Sequence, residues 1–331
     1  EQIEKQRITN EMLEETTLRG GFSGLVVPEQ MIRRLLPAIN AGRSVLLYGP
    51  PGNGKTTLST RIAGLFKDPV YIPYALEVGG QIIRIFDAQI HQPRVQEALA
   101  NTSALGLHRE TSDQRWVACS RPVVMAGGEM TLEMLELQWN AEARFYDAPL
   151  HVKALNGMFL IDDFGRQKFP PNDLLNRFIV PMENQVDYMK LNTGASFTLP
   201  FDVLLIFSTN LHPSQLGDEA FFRRIRHKIH IPDPTHEQFL EILARVCQQR
   251  EMPLDTDAAL YLIDAYYTRT GRGFKGCHPR DIVDLVADIC SYHGETPAFT
   301  MRHLDAACHS YFVSMQDNAT AERARFGGLA A

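Results

Sequence analysis

Residues 49–56 read Gly-Pro-Pro-Gly-Asn-Gly-Lys-Thr and match the pattern G-x-x-x-x-G-K-[ST] at every fixed position. The apolar run Ser44–Tyr48 comes directly before it and has the character of a buried strand. A helix-compatible run, Thr57–Phe66, comes directly after. Strand, glycine loop and helix in that order constrain the fold strongly, because the loop works only at the junction of the other two. Glycines let the backbone curl so that successive amides point inward at a polyphosphate, and the helix start adds its positive dipole end. The candidate nucleotide-binding residues are Gly49, Pro50, Pro51, Gly52, Asn53, Gly54, Lys55, Thr56 and Thr57. Lys55 is placed to reach the outer phosphates, and the Thr56 hydroxyl to take a Mg²⁺ coordination site.

The chain has 331 residues and 44% hydrophobic composition, enough for a large core and two domains. Its net charge of −6, without a basic run, speaks against indiscriminate binding to nucleic acid or an anionic membrane. No apolar stretch approaches 18 residues, so no transmembrane helix is expected. The charged segment Glu1–Glu15 does not have the pattern of a signal peptide. Five cysteines (Cys119, Cys247, Cys277, Cys290 and Cys308) form no C-x-x-C pair and read as reduced thiols of a cytoplasmic protein, those at 247, 290 and 308 on apolar helix faces. The eleven histidines lack ligand spacing, so no structural zinc site is expected.

Residues 1–232 mix strand-like and helix-like runs, and residues from 233 onward are almost entirely helix-like. Pro232 and Pro234 mark the boundary, since neither sits inside a helix or a central strand. Glu29–Asn40 reads as a helix and Val70–Ala75 as a second strand. Met158–Ile161 and Val203–Phe207 are continuous apolar runs, the mark of parallel strands covered on both faces. In the second region Thr235 with Gln238 forms a capping box, and Pro279 falls in a first helical turn. The expected architecture is α/β: a parallel sheet covered by helices on both faces, followed by a small all-α lid of about four helices. Residues 1–20 read as a polar N-terminal segment, 21–232 as the α/β core, 233–313 as the helical lid and 314–331 as a flexible tail.

Further pieces suit the same site. The apolar strand ending at Ile161 delivers Asp162 and Asp163 at its carboxyl end, where ligands of such sheets bind. Asp162 is placed to hold Mg²⁺ and Asp163 to orient the attacking water. A second buried strand ends Ser208-Thr209-Asn210, whose amide suits the γ-phosphate or the water. Arg223, Arg224 and Arg226 lie in one short segment, Phe221–Arg226, and read either as a guanidinium offered to a neighbouring subunit's γ-phosphate or as a solvated basic face. Arg280 sits at the start of a lid helix.

This ordered set resembles the AAA+ ATPases over roughly residues 20–310. The resemblance implies that Lys55 and Thr56 are Walker A residues and that Asp162 and Asp163 form Walker B. It makes Asn210 sensor 1, Arg224 or Arg223 the arginine finger and Arg280 sensor 2. Phe22–Gln30 is similar to the stretch that contacts adenine in this family. Leu150–Asp163 looks like the approach to Walker B in the MoxR-type, magnesium-chelatase and enhancer-binding branches, which carry a long insert before Walker B and a hairpin before sensor 1. Here 115–149 is the candidate insert, with Met130, Leu132 and Met134 alternating as in a strand. Residues 185–200, with Asn192-Thr-Gly194 between apolar runs, are the candidate hairpin. The chain resembles the MoxR-like group most. Two departures stand out: Asp163 occupies the place where the family usually has Glu, and the Gly-Ala-Phe-Thr-Gly-Ala loop of the transcription activators is absent.

The resemblance implies a Mg²⁺-dependent ATPase that forms a ring, most simply a hexamer, and remodels a protein partner. Met125, Met130, Met134 and Trp139 offer a gripping surface, or else the packing of a hairpin core. One alternative is an ATP-dependent switch or scaffold, motivated by the shorter Asp163. The other is a DNA motor of the Holliday-junction type, against which the acidic balance counts.

Overall fold

The computed structural model describes residues 1–94, 113–216 and 222–312. These form two compact units. The first holds Glu1–Ser23, Val27–Pro50 and Lys55–Ile231; the second holds Gly24–Val26, Pro51–Gly54 and the described chain from Pro232 on. Val313, the expected tail 314–331 and Phe221 of the arginine segment lie outside the described residues.

In the first unit the strands are, in chain order, β1 (Val45–Tyr48), β2 (Val70–Pro73), β3 (Ala75–Val78), β4 (Gln81–Arg84), β5 (Trp116–Cys119), β6 (Val123–Ala126), β7 (Gln138–Asn140), β8 (Phe145–Asp147), β9 (Met158–Ile161), β10 (Val186–Lys190), β11 (Ser196–Pro200), β12 (Leu204–Thr209) and β13 (His227–His230). Five of them make the central sheet, in the order β13-β1-β12-β9-β6. Every neighbouring pair in it is parallel. Strands β9 and β12 are buried along their whole length, as unbroken apolar runs require when both faces are covered. The helices are α1 (Gln2–Lys5), α2 (Glu15–Gly21), α3 (Glu29–Asn40), α4 (Lys55–Ala63), α5 (Leu150–Lys153) and α6 (Pro171–Asn184). Helix α3 buries Ile32, Leu35 and Ile39 on one face, the i, i+3, i+4 pattern of a helix against a core.

The strand expected at Val70–Ala75 is present as Val70–Pro73 and pairs antiparallel with β5 in a separate two-stranded sheet. Two expectations need correction. The interval 115–149 is not wholly an insert, because β6 supplies the edge strand of the central sheet beside β9. Its alternating burial, with Val124 and Ala126 buried and Val123 and Met125 exposed, gives no continuous apolar run to read. The spacing of Met130, Leu132 and Met134 is not a strand: Leu132–Leu135 is a 3₁₀ turn, and Met130 and Leu135 are fully buried. Met130 is therefore core, whereas Met125, Met134 and Trp139 are exposed.

The hairpin β10–β11 is antiparallel, pairing Val186 with Pro200 and Lys190 with Ser196. Gly194 takes a φ of +89° in its turn, where a side chain would be strained. Two anchors hold it. The Asn192 amide donates to the Tyr146 hydroxyl of β8 at 2.9 Å. Asp187 of β10 accepts from His151 of α5 at 2.6 Å and from Arg177 of α6 at 2.7 and 3.0 Å. The polar N-terminal segment is also tied in. Ile8 and Leu18 are buried, and the nearly buried Arg121 pairs with Glu11 at 3.0 Å.

The second unit is helical: α7 (His236–Gln249), α8 (Thr256–Ile263), α9 (His278–His293) and α10 (Met301–Tyr311). The Thr235 hydroxyl accepts from the Gln238 amide at 3.2 Å while the Gln238 side chain accepts from Thr235 at 3.0 Å, a complete capping box. Pro279 occupies the first turn of α9, where its missing N–H costs nothing. Phe239, Leu243, Leu262, Ile282, Val286 and Leu304 form the centre of its core, with Cys247, Cys290 and Cys308 buried among them. Among the described residues no helix is long and apolar enough to cross a membrane.

Candidate functional site

Adjacent strands β1, β12 and β9 all end at one edge of the central sheet, and each delivers a piece of the candidate site there. The glycine loop leaves β1 at Gly49 and enters α4 at Lys55. Gly49 has a φ of +146°, and a Cβ there would lie 2.1 Å from the Ile231 carbonyl oxygen. Only a glycine lets the backbone pass so close to its neighbour. Gly54, at a φ of +77°, has open space around it. Gly49→Ala is therefore expected to cost about 2–5 kcal/mol, combining backbone strain with a hard clash. Gly54→Ala carries the strain alone and costs about 1–3 kcal/mol. Urea unfolding midpoints of the two variants against the parent check the ordering; equal shifts refute it.

Lys55 is nearly buried, and its ammonium donates to the Gly49 and Pro50 carbonyls at 2.8 Å each. The next residue brings in the acidic strand: the Thr56 hydroxyl donates to Asp162 Oδ2 at 2.7 Å across 106 residues of sequence. Asp162 Oδ1 in turn accepts from the Asp163 amide at 3.0 Å. Asp163 is exposed and sits at a φ of +48°, a left-handed conformation that Asp tolerates better than most residues. Its Oδ1 accepts from Asn210 Nδ2 at 3.0 Å. Thr209 locks the turn from below, its hydroxyl donating to the Phe164 carbonyl at 2.7 Å while the Phe164 amide donates to Ser208 at 2.8 Å.

One contributor went unread in the sequence. Gln167 donates to the Asp162 carbonyl at 3.1 Å and accepts from the Gly165 amide at 2.9 Å, which braces the acidic turn. A glutamine six residues after a strand carries no signal of such a role.

The Thr56 hydroxyl and Asp162 carboxylate converge as two hard oxygen donors, the kind that Mg²⁺ takes. The described residues hold no cluster of three or more His, Cys, Asp or Glu able to bind a metal alone. A cation here thus depends on oxygens brought by its ligand, which is how Mg²⁺ is bound with phosphates.

Elsewhere in the first unit, Arg224 pairs with Glu183 at the end of α6, Nε to Oε1 at 2.6 Å. Arg223 and Arg226 are exposed. Phe22, part of the stretch expected to contact adenine, is buried. In the second unit, Arg280 stands exposed in the first turn of α9 with its guanidinium 3.1 Å from Asp281. Asn53, half-buried, bonds to Asp233.

Solved structures share this fold. NtrX from Brucella abortus in complex with ADP aligns with a TM-score of 0.50 at 15% identity, covering 87% of this chain and 56% of that one. A second Brucella abortus NtrX structure gives a TM-score of 0.52 at 14% identity, covering 90% and 59%. The chain has a P-loop NTPase fold. The Thermotoga maritima RuvB Holliday junction branch migration motor aligns at a TM-score of 0.47 and 16% identity, over 86% of this chain and 70% of that one, too loosely to carry an argument. The chain spans less than three-fifths of the NtrX structures. Residues 235–310, in the helical unit, match a domain of unknown function, DUF8689. No curated protein matches the chain in sequence.

Proposed function

We propose that the chain binds ATP with Mg²⁺ at Gly49–Thr56, hydrolyses it when assembled in a homo-oligomeric ring, and uses the cycle to remodel a protein partner, in the manner of the MoxR-like group. The observation that carries the site is the 2.7 Å contact between Thr56 and Asp162, with Lys55 on one side and the Asp163–Asn210 pair on the other. Thr56 and Asp162 are the residues to hold Mg²⁺, which supplies charge neutralisation at the β- and γ-phosphates. Lys55 exchanges its two loop carbonyls for phosphate oxygens. The carboxylate of Asp163 orients a water, and Asn210 fixes the rotamer of that carboxylate. Arg280 is assigned to the phosphates and Arg224, or Arg223, to a neighbour's site. A ring of six in the cytoplasm is what the resemblance implies, and the acidic charge of −6 favours a protein over a nucleic-acid partner.

Asp163 also motivates a second reading, a switch that binds ATP without efficient turnover, since its carboxylate is one methylene shorter than the Glu that the resemblance leads one to expect there. Turnover measured against protein concentration, with sizing in the same buffer, separates the two. The motor reading expects turnover to rise with assembly. It also expects Asp163→Asn to lower turnover about 10²- to 10⁴-fold while ATP affinity holds. ATP bound but never turned over by the assembled parent sinks the motor reading and leaves the switch. A DNA motor instead requires DNA affinity that falls steeply with added salt.

A further inference from the structure

The tip of the glycine loop, Pro51–Gly54, belongs to the helical unit rather than to the sheet unit that its two ends leave and enter. Three hydrogen bonds tie the loop tip to that unit, and two more hold their carboxylate partner. Asn53 Nδ2 donates to Asp233 Oδ1 at 2.7 Å, and Asn53 Oδ1 accepts from the Gly276 amide at 3.0 Å. Lys275 Nζ donates to both Asp233 oxygens, at 2.7 and 2.9 Å. The Cys277 amide donates to the Gly52 carbonyl at 2.7 Å. Contact is close enough that a Cβ on Gly52 would fall 2.6 Å from Cys277 Sγ, and one on Gly276 would fall 3.3 Å from the Gly52 carbonyl oxygen.

We propose that Asn53, Asp233 and Lys275 form a clamp that fixes the loop tip to the start of α9, making Asn53 a positioning residue through which phosphate binding acts on the helical unit. The inference rests on the nucleotide-binding reading above. An amide is the side chain this position needs, because it donates and accepts at once. Nδ2 meets a carboxylate and Oδ1 meets a backbone N–H, so both ends are satisfied. Aspartate at 53 keeps the second bond but sets two carboxylates against each other; leucine or threonine makes neither pair well. The Asp233 carboxyl lies below its ordinary range: burial pushes it up, but the Lys275 ammonium and the Asn53 amide outweigh that. The carboxylate is therefore the charged anchor. Amides at 52–54 are the ones a phosphate loop turns toward its ligand, so a ligand that draws on them draws on Gly276 and Cys277 through the bonds to Asn53 and Gly52. Arg280 follows three residues after Cys277 on the same helix start.

The test uses the full chain with Mg·ATP and Mg·ADP as probes. Asn53→Asp is expected to weaken nucleotide binding about 10- to 100-fold with little change in the unfolding midpoint. The double variant Asn53→Asp with Asp233→Asn swaps the two ends of the bond and is expected to recover affinity to within about threefold. Without nucleotide, hydrogen exchange at the Gly276 and Cys277 amides is expected to be faster in Asn53→Asp than in the parent, and nucleotide is expected to slow it in the parent alone. Unchanged affinity and unchanged exchange in Asn53→Asp overturn the clamp. Weakened affinity without rescue by the swap overturns the pairing as its cause. A parent that binds no nucleotide overturns the site reading and the coupling with it, while the nucleotide-free exchange still reports whether the contact itself exists.

Discussion

Asp187→Ala is expected to destabilise the protein by about 3–5 kcal/mol, because it removes the buried partner of His151 and leaves the half-buried Arg177 with Glu136 as its one carboxylate partner among the described residues. Asp187 and His151 are almost wholly inaccessible, and Arg177 is 18% exposed. Burial works against the carboxylate, but the bonds from His151 and Arg177 outweigh it and hold the Asp187 carboxyl down to about 2, against an ordinary 3.8. Burial displaces His151 downward, which favours the neutral imidazole with Nε2–H donating to Asp187. Among the described residues its buried Nδ1 has no hydrogen-bond partner. Protonation would put an unpaired N–H⁺ in that place, a greater cost than an idle lone pair. The pH dependence follows. A carboxyl depressed in the fold contributes stability that is complete above about pH 4 and lost as pH falls toward 2. A histidine depressed in the fold is protonated first in the unfolded chain, so its site loses stability as pH falls below 6.5. Thermal unfolding from pH 8 to 2 is expected to show both losses in the parent. Asp187→Ala is expected to lower the midpoint by roughly 6–20 °C at pH 7 and to remove the loss below pH 4. A variant that unfolds like the parent at pH 7 contradicts the network's structural role.

Under the proposed ring-ATPase reading, Arg224→Ala is expected to lower ATP turnover about 10³-fold or more, the worth of a guanidinium placed on a transferring phosphoryl group. Losing its ion pair with the half-exposed Glu183 costs at most about 1 kcal/mol, so the variant folds. The decisive arm is mixing. Lys55→Met subunits keep the arginine and lose the phosphate contact; Arg224→Ala subunits keep the phosphate contact and lose the arginine. Mixed assemblies regain turnover if the arginine serves a neighbour's site, because one kind of junction then carries both groups. Turnover of Arg224→Ala equal to the parent's removes Arg224 from the role, and the same measurement on Arg223→Ala then decides whether the adjacent exposed guanidinium holds it.

Much of the candidate site was legible because the expected chemistry is bound to local sequence. A glycine loop must lie between a strand and a helix, so Lys55 and Thr56 are readable from eight residues. An acid at the end of a wholly apolar strand is equally local, which placed Asp162, Asp163 and Asn210. What was not legible depends on pairing across the chain. Edge strand β6 shows only alternating burial, so it passed for part of an insert. Gln167, Glu183 and Asp233 each look like ordinary surface polar residues until the fold brings them to Asp162, Arg224 and Asn53.

By itself, then, the sequence determined the glycine loop between strand and helix, the two buried strands that carry the acids and the amide, and a helical second region beginning after Pro232. Each is written in residue type and short-range periodicity, which backbone sterics and burial read directly. Only the tertiary structure decided the strand order β13-β1-β12-β9-β6, the Thr56–Asp162 contact, the buried His151–Asp187–Arg177 cluster and the hold of Asp233 on Asn53. Those depend on which distant segments share one edge or one interior. Hydrogen bonds between side chains far apart in sequence leave no periodic trace in it.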